Sequence, residues 1–292
     1  MKRRQFLIGA GAILGSKACA SVSIPRVSGA GSLARLERVH GGRLGICVLD
    51  TGTGQALHHR ADERFPFCST IKSILAAAVL GGVDAGKMDL GKIIRYSVDD
   101  VLDYAPMVRA NLPRGEMAVG ELCDAMVTVS DNSAANLILR ELGGVGEVNA
   151  YLRSMGDSVT RLDRNEPGLN EALPGDPRDT STPRAMAGTI RQLFLGDALS
   201  KASRTLLVDW HRRVATGKAR LRAGIPLDWG FVHKTGTGEH GATNDVGVAW
   251  PPSEAPMIFV GLFVDSGAPL SDREFVLAEV ARIGRTSRVA AR

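Results

Sequence analysis

Ser69-Thr70-Ile71-Lys72 stands at the head of the apolar run Ile71 to Leu80 and reads as the opening turn of a helix, placing a hydroxyl and an amine on one face. Working outward, helical periodicity continues through the middle of the chain, over Val119 to Val129, Asn132 to Leu142, Val145 to Met155, Pro183 to Phe194 and Lys201 to Val214. The two ends read differently. Arg43 to Thr51 and Gln55 to Arg60 are strand-like around Gly52-Thr53-Gly54, and Val246 to Trp250 and Met257 to Val264 are strand-like runs parted by Pro251-Pro252. Ser271 to Ile283 then returns to helical spacing. The economical arrangement is α+β: an antiparallel sheet built from both chain ends with flanking helices, and an all-α block inserted between them. We expect an α/β domain from 28–60 and 212–290, and a helical domain over 61–211.

Between Met155 and Thr182 lies a stretch with little apolar periodicity, carrying Pro167, Pro174 and Pro177 among many charges. Loops of this length are usually disordered or functional. Arg164 and Asp179 are spaced so that an ion pair could close its neck into an omega-shaped loop over 161–179; spacing alone favours two unconnected surface charges, and only the surrounding motif tips the balance.

The chemistry-bearing residues occur in order. A serine hydroxyl is a weak nucleophile without a base, and Lys72 can serve as one where burial and nearby cations promote loss of its proton. Alone, the Ser69–Lys72 spacing equally fits a solvated lysine near a capping serine. Ser130-Asp131-Asn132 falls between two helices, where simple capping also explains it. Lys234-Thr235-Gly236-Thr237-Gly238 suits an edge strand whose glycines let a ligand approach backbone N–H groups. Glu166-Pro167-Gly168-Leu169-Asn170 adds a carboxylate that can hold water. As an ordered set these supply an acyl-transfer site: a nucleophile beside an amine, a second hydroxyl, a base for water and a fixed cation for an anionic substrate.

Ser-x-x-Lys with Ser-Asp-Asn and Lys-Thr-Gly marks class A β-lactamases and penicillin-binding proteins. The chain resembles a class A serine β-lactamase over essentially its whole length after the first 20 residues. The Glu166 to Asn170 segment resembles the omega-loop pattern of the lactamases, which is not expected in the transpeptidases. The resemblance implies that Ser69 attacks the lactam carbonyl, with the oxyanion held by backbone N–H groups of Ser69 and Thr237. It further implies that Ser130 passes a proton to the lactam nitrogen and that Asn132 holds the substrate's amide side chain. Lys234, Thr235 and Arg220 would recognise its carboxylate, Tyr104 would flank the mouth, and Glu166 with Asn170 would position the deacylating water. Whether Glu166 or Lys72 activates Ser69 is disputed in such enzymes. No cofactor and no metal are implied, and the partner is a β-lactam antibiotic.

Two departures from relatives concern thiols. Cys123 matches one end of a disulfide whose other position is Ala76 here, and Cys68 resembles a carbapenemase cysteine whose partner position is Gly238 here. No disulfide is therefore expected, and support for a carbapenemase is weakened, although Arg220 and Thr237 remain compatible with a broad pocket.

Two rivals share part of this reading. A penicillin-binding D,D-peptidase would use the same nucleophile and lysines but gives no reason for Glu166 and Asn170. A β-lactam sensor that stays acylated would be expected to continue into a membrane segment or signalling domain, and neither is read in this sequence.

Composition narrows the remaining classes. The chain has 292 residues, 44% of them hydrophobic and 5% aromatic, with a formal net charge of +5. Lys2-Arg3-Arg4, the apolar stretch Phe6 to Leu14 and Ala18-Cys19-Ala20 read as an export signal over 1–20. The Arg3-Arg4-Gln5-Phe6-Leu7 string fits either a twin-arginine or a general-secretion signal, and Lys17 argues against a lipid anchor on Cys19. Removing Lys2, Arg3, Arg4 and Lys17 with the signal leaves a net charge of about +1, so the basic balance does not point to nucleic acid. A monomer in the periplasm or medium, with no membrane attachment once the signal is gone, is expected. Cys47, Cys68 and Cys123 remain, an odd number, and the histidines show no metal-ligand spacing.

Overall fold

The structure, a computed structural model, describes residues 29–287. The expected export signal and its Cys19 lie outside the described residues. Helix α1 (Gly29–His40) leads into strands β1 (Arg43–Asp50) and β2 (Ala56–His59), and β3 (Phe65–Pro66) ends the first strand region. The middle of the chain holds α2 (Lys72–Asp84), β4 (Ile93–Arg95), α3 (Pro106–Ala110), β5 (Glu116–Ala118), α4 (Val119–Thr128), α5 (Asn132–Glu141) and α6 (Val145–Ser154). After the long loop come β6 (Thr180–Ser181), α7 (Pro183–Phe194), α8 (Lys201–Arg212) and α9 (Leu221–Gly224). Strands β7 (Gly230–Thr237), β8 (Thr243–Trp250) and β9 (Met257–Val264) precede α10 (Leu270–Ser287).

The five-stranded sheet has the order β2-β1-β9-β8-β7 and is antiparallel throughout, so both chain ends build it, as expected. The two-residue strand period divides its side chains between two cores. Leu44, Ile46 and Val48 of β1 and Phe259 and Phe263 of β9 join Leu33 of α1 and Val276, Leu277 and Val280 of α10 on one face. Cys47 of β1 and Ile258, Val260 and Leu262 of β9 face the helical block instead. Covered on both sides, β9 is buried along its entire length, which explains its unbroken apolar run.

Helix α2 is the axis of the helical block, with every residue from Lys72 to Leu80 buried. A helix apolar on all sides belongs in a core, and this one carries its reactive end to the sheet. The sequence reading began this helix at Ser69, whereas Cys68–Ile71 form a 3₁₀ turn and α2 proper starts at Lys72. Caps fix several neighbours: Asp131 accepts from Ala134 N–H at the start of α5, and Thr182 accepts from Ala185 N–H with Pro183 opening α7. Helix α1 escaped the sequence reading because it places only Leu33 in the core. Among the described residues no helix is long and apolar enough to cross a membrane.

Candidate active site

Cys68, directly before Ser69, takes a left-handed φ of 49°, an unfavourable backbone for a side chain-bearing residue that turns the chain sharply into the 3₁₀ segment. Strand β7 passes very close to this turn. A side chain at Gly236 would lie 2.6 Å from the Phe67 carbonyl and 3.2 Å from Ser69 N, so only glycine allows the approach. A side chain at Gly238 would meet Cys68 Sγ at 2.8 Å, so these two positions do face each other.

Lys72 Nζ donates to Ser69 Oγ at 3.0 Å and to Asn132 Oδ1 at 2.5 Å, and lies 2.9 Å from Glu166 Oε1. It also donates to the Ser130 carbonyl at 2.9 Å. Burial holds the Lys72 amine below its usual pKa, while the Glu166 carboxylate opposes that fall. Ser69 Oγ in turn donates to Glu166 Oε1 at 3.4 Å. The serine proton therefore has the Glu166 carboxylate as an acceptor in reach, and Lys72 can take it only after giving up a proton of its own.

Glu166 reaches this point from the long loop because Asn136 grips its backbone on both sides. Asn136 Nδ2 donates to the Glu166 carbonyl at 2.8 Å, and Glu166 N–H donates to Asn136 Oδ1 at 2.9 Å. Asn170 Nδ2 donates to Glu166 Oε2. The neck is closed by the pair, with Arg164 Nε 2.6 Å from Asp179 Oδ2 and Asp179 Oδ1 accepting from the N–H groups of Asp163 and Arg164. Arg164 also pairs with Glu171 across the loop.

Lys234 and Ser130 meet on the other wall. Lys234 Nζ donates to Ser130 Oγ at 3.0 Å, and burial, reinforced by the neighbouring Lys72, pushes the Lys234 amine well below its usual value. Ser130 is presented by a left-handed backbone, φ 61°, while Asp131 does the capping. Capping and chemistry are thus divided between adjacent residues of one tripeptide. Arg220 is buried, donating to the carbonyls of Gly236 and Asn244 at 2.9 Å and to Thr237 Oγ1 at 2.8 Å, and pairing with Glu274 at 3.1 Å. Ser69, Tyr104, Ser130, Asn132, Asn170, Thr216, Arg220, Thr235 and Thr237 line a single open cleft of about 390 Å³.

Every candidate of the sequence reading reaches this cleft or its supporting loop. Thr216, which shares a 2.7 Å hydrogen bond with Thr235, and the anchoring Asn136 escaped that reading. Asn136 was detectable, since it stands four residues after Asn132 on one helical face. Cys47, Cys68 and Cys123 are free and buried, and no cluster of metal-ligating side chains occurs among the described residues.

A buried serine–lysine pair beside a carboxylate, at the floor of an open cleft that ends in two buried cations, is apparatus for acyl transfer. Residues 30–286 match the model of the β-lactamase enzyme family. A β-lactamase of Amycolatopsis lactamdurans is 45% identical over 254 residues, covering 87% of this chain and 83% of the relative. A β-lactamase of Mycobacterium tuberculosis is 43% identical, covering 96% and 95% respectively. The solved structure of an ancestral class A β-lactamase, the reconstructed last common ancestor of Gram-negative bacteria, superposes with a TM-score of 0.87 at 53% identity, covering 91% of this chain and all of that one. The chain belongs to the β-lactamase enzyme family. Within that family it is a class A serine β-lactamase, a hydrolase that opens the β-lactam ring and so underlies β-lactam resistance; the D,D-peptidase alternative is not favoured.

Proposed function

We propose that hydrolysis proceeds through an acyl-enzyme on Ser69 that is released by a water activated by Glu166. Ser69 Oγ attacks the lactam carbonyl, its proton passing to the Glu166 carboxylate or to Lys72 in its neutral form, while the N–H groups of Ser69 and Thr237 hold the oxyanion. Ser130 Oγ accepts hydrogen bonds from Lys234 at 3.0 Å and Lys72 at 3.4 Å, which leaves its own proton for the departing lactam nitrogen. Asn132 gives its carbonyl oxygen to Lys72 and keeps its amide N–H groups for the substrate's side-chain amide. Lys234, Thr235 and Arg220 bind the substrate carboxylate, and Tyr104, half exposed at the rim, flanks the mouth.

The observation that carries this reading is the geometry of Asn170. Its Nδ2 fixes Glu166 Oε2, while its buried Oδ1 has no hydrogen-bond partner among the described residues. An unpartnered acceptor beside a carboxylate suits a water that donates to both, with Glu166 taking the proton as the water attacks the ester. Steady-state turnover of a chromogenic cephalosporin tests the reading: many products per enzyme support it, and one equivalent of product followed by silence contradicts it.

The same reading includes export to the periplasm or medium, action as a monomer, and a division into an α/β unit of 28–60 with 212–290 and a helical unit of 61–211. The antiparallel sheet made of both chain ends supports that division.

A further inference from the structure

Behind the carboxylate-binding wall lies a buried, hydrogen-bonded aspartate–histidine pair with no part in the steps above. Asp245 of β8 sits directly opposite Thr235 of β7 and is fully buried. Its carboxylate accepts from His233 Nδ1 at 2.9 and 3.0 Å and from Leu221 N–H at 3.2 Å. Leu221 opens α9 immediately after Arg220, whose own side chain offers that helix no cap. Asp245 therefore caps α9 from a neighbouring strand and fastens the backbone that carries Arg220.

His233 makes the floor for the same loop. It shares a strand face with Thr235, and a side chain at Gly217 would lie 2.2 Å from Thr235 Cγ2 and 3.6 Å from His233 Cε1. The segment from Thr216 to Arg220 thus rests on His233 and Thr235. Gly247, opposite His233, would drive a side chain to 2.9 Å from His233 Cβ, so the sheet leaves room there for the imidazole.

We propose that the Asp245–His233 pair is a positioning unit for substrate-carboxylate recognition, acting through Arg220 and Lys234 without touching substrate. The inference rests on the assignment of Lys234, Thr235 and Arg220 to that carboxylate. Asp245 fixes the Arg220 loop mechanically, and its negative charge also supports the Lys234 ammonium, against which burial, Lys72 and Arg220 all work. The titratable and charged groups that face Asp245 and Lys234 are His233 of β7, Arg220 ahead of α9 with its partner Glu274 of α10, His211 of α8, and Lys72 and Glu166 across the cleft.

The test compares kcat and KM for a penicillin and its methyl ester, the acid-to-ester ratio of kcat/KM reporting carboxylate recognition. Asp245→Asn keeps an acceptor for Leu221 N–H but removes the charge. The ratio should fall about tenfold, chiefly through KM for the acid, and the alkaline limb of kcat/KM should move to lower pH as Lys234 loses its support. His233→Asn should lower the ratio in the same direction and carries the test alone if Asp245→Asn does not fold. Arg220→Ala is the control: if it leaves the ratio unchanged, the carboxylate assignment itself fails. If Arg220→Ala lowers the ratio while the folded variants of the pair leave both ratio and pH profile as in the parent, the positioning role is overturned.

Discussion

Lys72 Nζ and Glu166 Oε1 form a fully buried ion pair at 2.9 Å, with Ser69 Oγ within hydrogen-bonding reach of both. Burying two charges is costly unless their attraction and further hydrogen bonds offset the lost hydration. Here Asn132, Asn170 and Ser130 provide those bonds. The Glu166 carboxylate therefore favours the charged form of the Lys72 amine.

Removing the carboxylate should expose that coupling. Burial already lowers the Lys72 amine's pKa and Glu166 is its nearest counter-charge, so Glu166→Gln should lower the amine's pKa further. Heteronuclear NMR titration of labelled lysine would follow it. A titration midpoint equal to or above the parent's would show that the two groups are not coupled.

The loop neck should be a stability element as well as a kinetic one. Asp179 is almost completely buried and binds two backbone N–H groups besides Arg164. Leaving one partner of a buried pair alone costs about 3–5 kcal/mol. Arg164→Ser or Asp179→Asn should lower the melting temperature, slow deacylation of small penicillins and give bulky cephalosporins relatively better access. Parent-like melting and kinetics for both substrates would show that the pair does not hold the loop.

Acid sensitivity should trace in part to His211. Ser73 Oγ lies 2.8 Å from its Nε2 and the Leu207 carbonyl 2.7 Å from its Nδ1, and burial pushes its pKa down to about 3. A histidine held neutral in the fold takes up a proton more readily when unfolded. Its stabilisation is complete above the unfolded pKa near 6.5 and is lost as pH falls toward about 3, at about 1.4 kcal/mol per pH unit. His211→Gln should flatten stability against pH in that window. Denaturation curves with parallel pH dependence in both proteins would refute this.

The thiols should be silent in the fold. Burial raises Cys47 to about 11 and Cys68 to about 12, and Cys123 higher still. For protein lacking residues 1–20, a thiol reagent at pH 8 should find none in the native state and three in denaturant without reductant. One free thiol in denaturant would mean that a bond had formed.

What the sequence disclosed was set by how local each signal is. The sheet's inner strands and α2 were legible because burial on both faces leaves unbroken apolar runs, as in Met257 to Val264. The ordered motifs were legible because each active residue needs fixed neighbours: Gly236 for the close approach to Phe67, and Arg164 opposite Asp179 for the loop neck. Helix α1 was missed because one buried leucine leaves almost no periodic trace. The 3₁₀ start before α2 was missed because backbone strain at Cys68 leaves no compositional mark. Asp245 and His233 act through a backbone group or another side chain distant in sequence, and only the fold shows those distances.

Glu166 separates turnover from trapping, and mass spectrometry of Glu166→Ala mixed with benzylpenicillin is the decisive experiment. Losing the only general base for the deacylating water should slow that step toward the upper end of about 10²- to 10⁴-fold, while Ser69, Lys72 and the oxyanion donors still acylate. The account predicts a long-lived adduct of the whole drug mass in Glu166→Ala and none in Ser69→Ala. Parent-like penicillin turnover by Glu166→Ala, or an adduct that persists without Ser69, would contradict it.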